Sequence, residues 1–330
     1  MEAYCPPFHI TQAMLQLTAS ISEKVGAMHV LLRTESRPHL RRSSQIQSIH
    51  ASLKIESGSL TAGQVRDVIA GIPVRGAPDA ILEVQNAYTA YEKMTELDPY
   101  SLEDLKTAHG LMTAGLIRES GRFRSGEEGV FHEGKCIFVA PPARLVPDLM
   151  EQLFSWMNRE RENLHPLILS SVFHYEFVFI HPFSDGNGRM ARLWHTALLT
   201  RWKPVFQYVP LESQIEKFQQ DYYDAISCCH TAGNSDRFIE FMLEQTDQIL
   251  ETILQQSGRM EPEISDQVRR LLSVMEYGVS YSTSGLMEKL QLKSRDTFRK
   301  HYLQPALSLQ LVEMTLPDRP TSRNQRYIRK

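Results

Sequence analysis

Residues 164–180, LHPLILSSVFHYEFVFI, are an apolar run with helical character that ends abruptly in HPFSDGNGRMAR, residues 181–192. A helix that is hydrophobic nearly all round must be buried on every side, so the chain has to fold as helices gathered around a central one. The run is shorter than the roughly 20 apolar residues of a membrane span and contains His174 and Glu176. Pro182 discourages further helix. His181 is therefore delivered at the end of the buried helix and held at a fixed point.

Most of the first 260 residues follow the same pattern. SLEDLKTAHGLMTAGL offers Ser101 as an N-cap and then Leu102, Leu105, Ala108, Leu111 and Met112 at helical spacing. PPARLVPDLMEQLFSWMNRE and IEKFQQDYYDAISCCHTA read alike, so the expected fold is mainly α, a helical bundle. With 330 residues, 42% hydrophobic, 23% charged and a formal net charge of −3, the composition is that of an ordinary globular chain with room for about two domains and a small third. The expected divisions are 1–95, 96–258 and 262–330. The opening MEAYCPPFHI lacks a basic-then-apolar leader, and the expected address is cytoplasmic. Cys5, Cys136, Cys228 and Cys229 form neither a C-x-x-C pair nor a His/Cys cluster at zinc spacing. That usage suits reduced thiols, and plain packing outweighs a redox role for the adjacent Cys228 and Cys229.

One interruption breaks the helical pattern. GRFRSGEEGVFHEGKCIFVAPP is glycine-rich and alternates around His132-Glu133-Gly134-Lys135, which predicts a β-hairpin. A lone hairpin is marginal by itself and has to lie against the bundle. After residue 260, ISDQVRRLLSVME, STSGLMEKLQL, SRDTFRKHYLQPAL, LVEMTLP and NQRYIRK read as three helices and a two-stranded wing. That order resembles a winged helix-turn-helix domain.

The polar motif has a physical reading of its own. SDGNG is a turn whose glycines let a ligand approach the backbone, and RMARLWHTALL continues as a helix. Successive N–H groups at a helix N-terminus form an anion nest, suited to phosphate. Asp185 stands at its mouth and can hold Mg²⁺, which is commonly bound through one or two carboxylates plus substrate phosphates. Arg189 and Arg192, three apart, can reach the same polyphosphate.

HPFSDGNGRMAR resembles the signature of the Fic (filamentation induced by cAMP) family, H-x-F-x-[DE]-G-N-G-R-x-x-R. Its fixed positions are filled by His181, Phe183, Asp185, Gly186, Asn187, Gly188, Arg189 and Arg192. The likeness extends more loosely over roughly residues 40–330. It implies a Fic-type helical core over 96–258 with the hairpin as a flap. It also implies transfer of AMP from ATP to a Ser, Thr or Tyr hydroxyl of a protein, with release of pyrophosphate. In that reading His181 is the general base, and Asp185 holds Mg²⁺. Asn187 with the Gly186 and Gly188 amides stabilises the α-phosphate, while Arg189 and Arg192 clamp the outer phosphates. In the related Doc-type kinases a lysine replaces the glycine at position 188 and the γ-phosphate is transferred; Gly188 favours AMP transfer. Tyr222 and Tyr223 match a pair that packs near adenine, or are simply core aromatics. His230 stands where some relatives carry asparagine. An unpaired hairpin edge can add a strand from the target, with Phe131, Ile137 or Phe138 clamping its side chain according to register.

A second feature lies upstream. In RRSSQIQSIHASLKIESG, Ile46, Ile49 and Leu53 mark an apolar helix stripe, and Glu56 falls on it. An inward glutamate needs a cationic partner. SLKIE, Ser52 to Glu56, resembles the family's inhibitory motif [ST]-x-x-x-E-[GN], whose glutamate pairs with the second motif arginine, here Arg192. That implies an inhibitory helix over about 41–57. Ser57 departs from the pattern, with Gly58 one place late. In some relatives the same glutamate helps remove AMP.

Residues 291–330 carry nine Lys and Arg against three acids, in contrast to the net-negative remainder. Lys293, Arg295, Arg299 and Lys300, in or beside a recognition helix, suggest DNA contacts. The competing reading is a DNA-binding regulator with a secondary Fic activity. A homodimer and self-modification stay open.

Overall fold

The computed structural model describes residues 4–32, 38–56, 58–132, 135–258, 265–309, 311–317, 319 and 322–329. The chain divides into two compact units, Met1–Leu254 and Gln255–Lys330, each with its own hydrophobic core.

The larger unit is helical with one hairpin. Its elements are α1 (Gln12–Leu32), α2 (Pro38–Ile55), α3 (Ala62–Ile69), α4 (Pro78–Lys93), α5 (Leu102–Met112), β1 (Gly129–His132), β2 (Lys135–Val139), α6 (Val146–Glu160), α7 (Pro166–Ile180), α8 (Asn187–Trp202), α9 (Leu211–Lys217), α10 (Gln219–Ala232) and α11 (Asp236–Gly258). The apolar run is α7. His165 caps it by accepting the Leu167 amide, and Pro166 stands in the first turn, where its missing N–H costs nothing. Almost every α7 side chain is buried, and α7 packs between α6 and α8. Glu176, the one carboxylate inside this run, accepts a hydrogen bond of 2.8 Å from the Tyr4 hydroxyl. Burial pushes the Glu176 carboxyl above the usual range.

α7 ends at His181, which takes a left-handed conformation (φ 51°, ψ 60°). Non-glycine residues seldom adopt it. Five residues later Gly186, also left-handed at φ 80°, stands at the N-cap of α8. α8 is buried along nearly its whole length, so the motif loop is fixed at both ends by the two most deeply buried helices.

The hairpin is a two-stranded antiparallel sheet. It pairs Gly129 with Val139, Val130 with Phe138, Phe131 with Cys136 and His132 with Lys135, with a register irregularity between Val130 and Phe131. The expected stripe on α2 is present: Ile49 and Leu53 are buried and Ile46 packs against the core. α2 lies on α4 and α9.

The smaller unit contains α12 (Asp266–Ser273), β3 (Ser280–Ser282), α13 (Thr283–Lys289) and a helix from Arg295 to Ser308. That helix comprises α14 (Arg295–Phe298), a π-helical turn (Arg299–Leu303) and α15 (Gln304–Ser308). The strands β4 (Val312–Met314) and β5 (Arg326–Arg329) follow. The order helix, helix, helix, hairpin is that read from the sequence, with one addition. β3 joins the hairpin, so the sheet is three-stranded, in the order β3-β5-β4. No helix among the described residues is long and apolar enough to cross a membrane.

Candidate active site

The motif loop is braced from within. Asn187 uses both ends of its amide on one residue: Oδ1 accepts from the Phe183 amide (2.9 Å) and Nδ2 donates to the Phe183 carbonyl (2.7 Å). The Gly186 amide donates to Asp185 Oδ1 at 2.6 Å. A Cβ on Gly186 would press on Thr113 at 3.2 Å, so glycine is needed there for space as well as for φ. The first N–H groups of α8 have no partner within the helix. They open beside this loop.

His109 supports the loop from α5. Its ring stacks on Phe183 with centroids 3.6 Å apart and planes 4° from parallel. The Gly121 amide donates to its Nδ1 (3.0 Å), which leaves the ring proton on Nε2 to donate to the Asp185 carbonyl (3.0 Å). Burial drives its pKa down to about 4, so the ring stays neutral and the arrangement holds. Nothing in the local sequence marks His109, because its role exists only when α5 meets the loop.

Arg124 is the second residue that the sequence does not reveal. Its guanidinium is buried at 3% exposure. It donates to the carbonyls of His181 (2.7 Å), Gly126 (2.9 Å) and Pro141 (2.5 Å), with a longer bond to Ile180 (3.4 Å). Its own amide donates to the Pro182 carbonyl. One cation thus ties the C-terminal carbonyls of α7, where positive charge is favoured, to the chain entering and leaving the hairpin. The His181 ring lines the same cavity as Glu56. Burial pushes its pKa below the ordinary histidine value and Arg124 pushes the same way, while the Val178 carbonyl, Glu56 and Asp185 pull upward.

The two motif arginines differ in surroundings. Arg189 is held by two carboxylates, Glu83 at 3.1 Å and Asp185 at 2.8 Å. Arg192, almost wholly buried, donates to the Ser52 hydroxyl (3.0 Å), the Ser52 carbonyl (3.1 Å) and Glu56 Oε1 (2.8 Å). Glu56 follows the last turn of α2. Gly58 ends that helix by donating to the Leu53 carbonyl at 2.8 Å, so close that a Cβ would collide with it. The terminating glycine stands one place later than the family pattern, and Ser57 lies outside the described residues. A Cβ on Gly188 would collide with Glu56 Oε1; the docked glutamate occupies the space that this glycine leaves.

A cavity of about 130 Å³ is lined by Glu56, Phe138, His181, Gly188, Arg192 and Tyr222, with Asn187, Tyr223 and His230 also on its wall. Asp185 and Gly186, on the adjoining loop, and Arg189, in the first turn of α8, do not line it. Tyr222 is buried, and its hydroxyl stands 3.0 Å from His174 Nε2 and within reach of Arg192. Phe138, on the cavity wall, stacks on His230 with ring centroids 4.3 Å apart and packs on Phe179 at 5.1 Å. Phe131 and Ile137 take their places in the two strands; their side chains lie outside the described residues. Two larger hollows, of about 350 Å³ each, are open surface grooves away from the motif. Cys228 and Cys229 are free thiols, and burial raises the latter to about 11, a setting for packing rather than reactivity.

Among the described residues no three His, Cys, Asp or Glu side chains converge as a metal site. Asp185 does present a half-exposed carboxylate beside the α8 N-terminus. This donor set fits a cation that arrives with phosphate oxygens and does not fit one held by protein alone.

A helical bundle thus brings a histidine, the N-terminus of an inner helix and a glutamate paired with an arginine of that helix to one cavity. The comparisons with known proteins agree on the family. Residues 97–199 match the Fic/DOC family, and residues 266–328 match the C-terminal domain of Fic-like filamentation induced by cAMP proteins. A Fic family protein from Desulfovibrio desulfuricans G20, known from its crystal structure, is 42% identical and superposes with a TM-score of 0.77 over 99% of this chain and 98% of its own. The chain belongs to the Fic family. Proteins called protein adenylyltransferase Fic from Culex quinquefasciatus and Drosophila grimshawi are 27% and 29% identical over 74% and 71% of this chain. The chain spans about half the length of these curated relatives. Fic-1 from C. elegans, at 21% identity and a TM-score of 0.60 over 74% of this chain and 73% of its own, shares the fold.

Proposed function

We propose that this chain is a protein adenylyltransferase restrained by its own Glu56. It transfers AMP from ATP to a Ser, Thr or Tyr hydroxyl of a protein and releases diphosphate. The observation that carries this reading is the single cavity lined by His181, the start of α8 and Arg192; the names of the relatives supply the reaction. His181 takes the proton of the target hydroxyl, the freed oxygen bonds to the α-phosphorus, and the bond from that phosphorus to the bridging oxygen breaks as diphosphate leaves. The depressed pKa of His181 keeps its ring neutral near pH 7, as a base requires. The α8 amides face the charge that develops on phosphate, and Arg192, released from Glu56, holds the outer phosphates. Arg189 fixes Asp185, which would hold Mg²⁺. A bound Mg²⁺ neutralises charge on the phosphate oxygens. The free hairpin edge aligns the target by main-chain pairing, beside Phe138.

The restraint follows from space and charge. Ligand sites commonly span about 300–1,000 Å³, and the cavity with Glu56 docked is about 130 Å³. Glu56 also takes the guanidinium that the phosphates need.

Incubation with ATP and Mg²⁺ followed by intact mass spectrometry tests this. Glu56→Gly is expected to gain an adduct with the mass of AMP, on itself or on a protein in lysate, at least 10-fold faster than the parent, an order-of-magnitude expectation for loss of about 1.4 kcal/mol of restraint. His181→Ala in the same background is expected to gain none. If the parent and Glu56→Gly both stay unmodified and label no lysate protein, the reading is wrong. An adduct with the mass of a single phosphoryl group would instead indicate γ-phosphate transfer.

A further inference from the structure

We infer that the C-terminal unit binds duplex DNA through the Arg295–Ser308 helix and the loop between β4 and β5. The helix buries Phe298, Tyr302, Leu303 and Ala306 in the small core. The same helix and its approach expose Lys293, Arg295, Arg299 and Lys300 to solvent. The loop that joins β4 to β5 adds Arg319 and Arg323, both exposed. None of these six cations is ion-paired among the described residues. In the larger unit, by contrast, the exposed Lys54 and Lys93 are paired with nearby glutamates.

The partner follows from geometry and charge together. A helix that buries one face in a small core and exposes cations on the other suits a major groove and its flanking phosphates. The π-helical turn places Arg299, Lys300 and His301 in succession on the exposed side. A wider turn spreads these cations along the helix surface, and such turns are often found at functional sites. Thr297 and His301, also exposed, are polar groups able to meet base edges. Residues 291–330 hold nine Lys and Arg against three acids in a chain of net charge −3, so an excess of positive charge is concentrated in this unit. An acidic protein segment would meet the same charge but has no use for evenly exposed cations on both a helix and a wing.

The full chain is titrated into a labelled mixed-sequence duplex about three helical turns long, with fluorescence anisotropy read between about 50 and 200 mM salt. Binding is expected to weaken about 1,000-fold across that range if all six cations meet phosphates. The Lys293→Ala, Arg299→Ala, Lys300→Ala triple variant is expected to lower the salt slope by about 3, one for each phosphate contact. Its far-ultraviolet circular dichroism and its AMP transfer in the Glu56→Gly background serve as folding controls. Absence of binding at about 50 mM salt overturns the inference. So does a correctly folded triple variant that binds like the parent, or one whose only change is in oligomeric state by light scattering, which would make the surface a protein contact.

Discussion

At the level of single residues, the site depends on groups that never face the cavity. Arg124 gathers the carbonyls of Gly126, Pro141 and His181 around one cation, so the flap base and the histidine backbone share a support. Arg124→Lys keeps the charge but loses the planar fork. It is expected to destabilise the chain by about 1–3 kcal/mol, the range for buried carbonyls left short of a donor. It should also slow AMP transfer in the Glu56→Gly background about 10- to 100-fold, the order expected from a displaced catalytic group. Nucleotide affinity, measured by calorimetry, should hardly change. A variant with unchanged turnover would show that the support is structural alone. These residues also mark what was legible in the sequence. Glu56 stood out because a carboxylate on an apolar stripe is locally anomalous. Arg124 and His109 are ordinary in their own segments, and their burial arises from long-range packing that no short window displays.

At the level of elements, α2 is the part that has to move or stay. Its inner face is pinned by Glu212 of α9, a buried carboxylate that accepts hydrogen bonds from three hydroxyls, Ser48 (2.6 Å), Tyr91 (2.8 Å) and Thr196 (3.1 Å), and is ion-paired with no cation among the described residues. At its far end Lys54 meets Glu216 at 2.6 Å and the Gln219 side chain donates to the Ile55 carbonyl. Ser48→Ala leaves Glu212 one donor short and is expected to cost about 1–3 kcal/mol by denaturant titration. If α2 is the restraint, the same change raises AMP transfer in the parent chain and has no effect in the Glu56→Gly background. Equal effects in both backgrounds would uncouple α2 from activity. The apolar stripe made α2 legible, and the buried run did the same for α7. β3 was not legible, because three residues, Ser280–Ser282, are too few to show an alternation and their pairing with β5 is settled by the tertiary fold.

At the level of the whole molecule, two cores imply two stabilities. The larger core and the small cluster around Leu271, Leu286, Phe298 and Tyr302 share no member. Scanning calorimetry is expected to show two heat-absorption transitions. ATP with Mg²⁺ should raise only the larger unit's transition, and more strongly in Glu56→Gly, by about 2.7 kcal/mol at a ligand concentration 100-fold above Kd. A single transition that moves as one would show that the units unfold together.

The empty space at Gly188 has a consequence for how such a chain can change over time. The docked glutamate fits because position 188 carries no side chain, and the sequence resemblance places the choice between AMP and phosphoryl transfer at the same position. Any larger residue there has to displace Glu56 first. A substitution that changes the chemistry at this position would therefore part Glu56 from Arg192 in the same step.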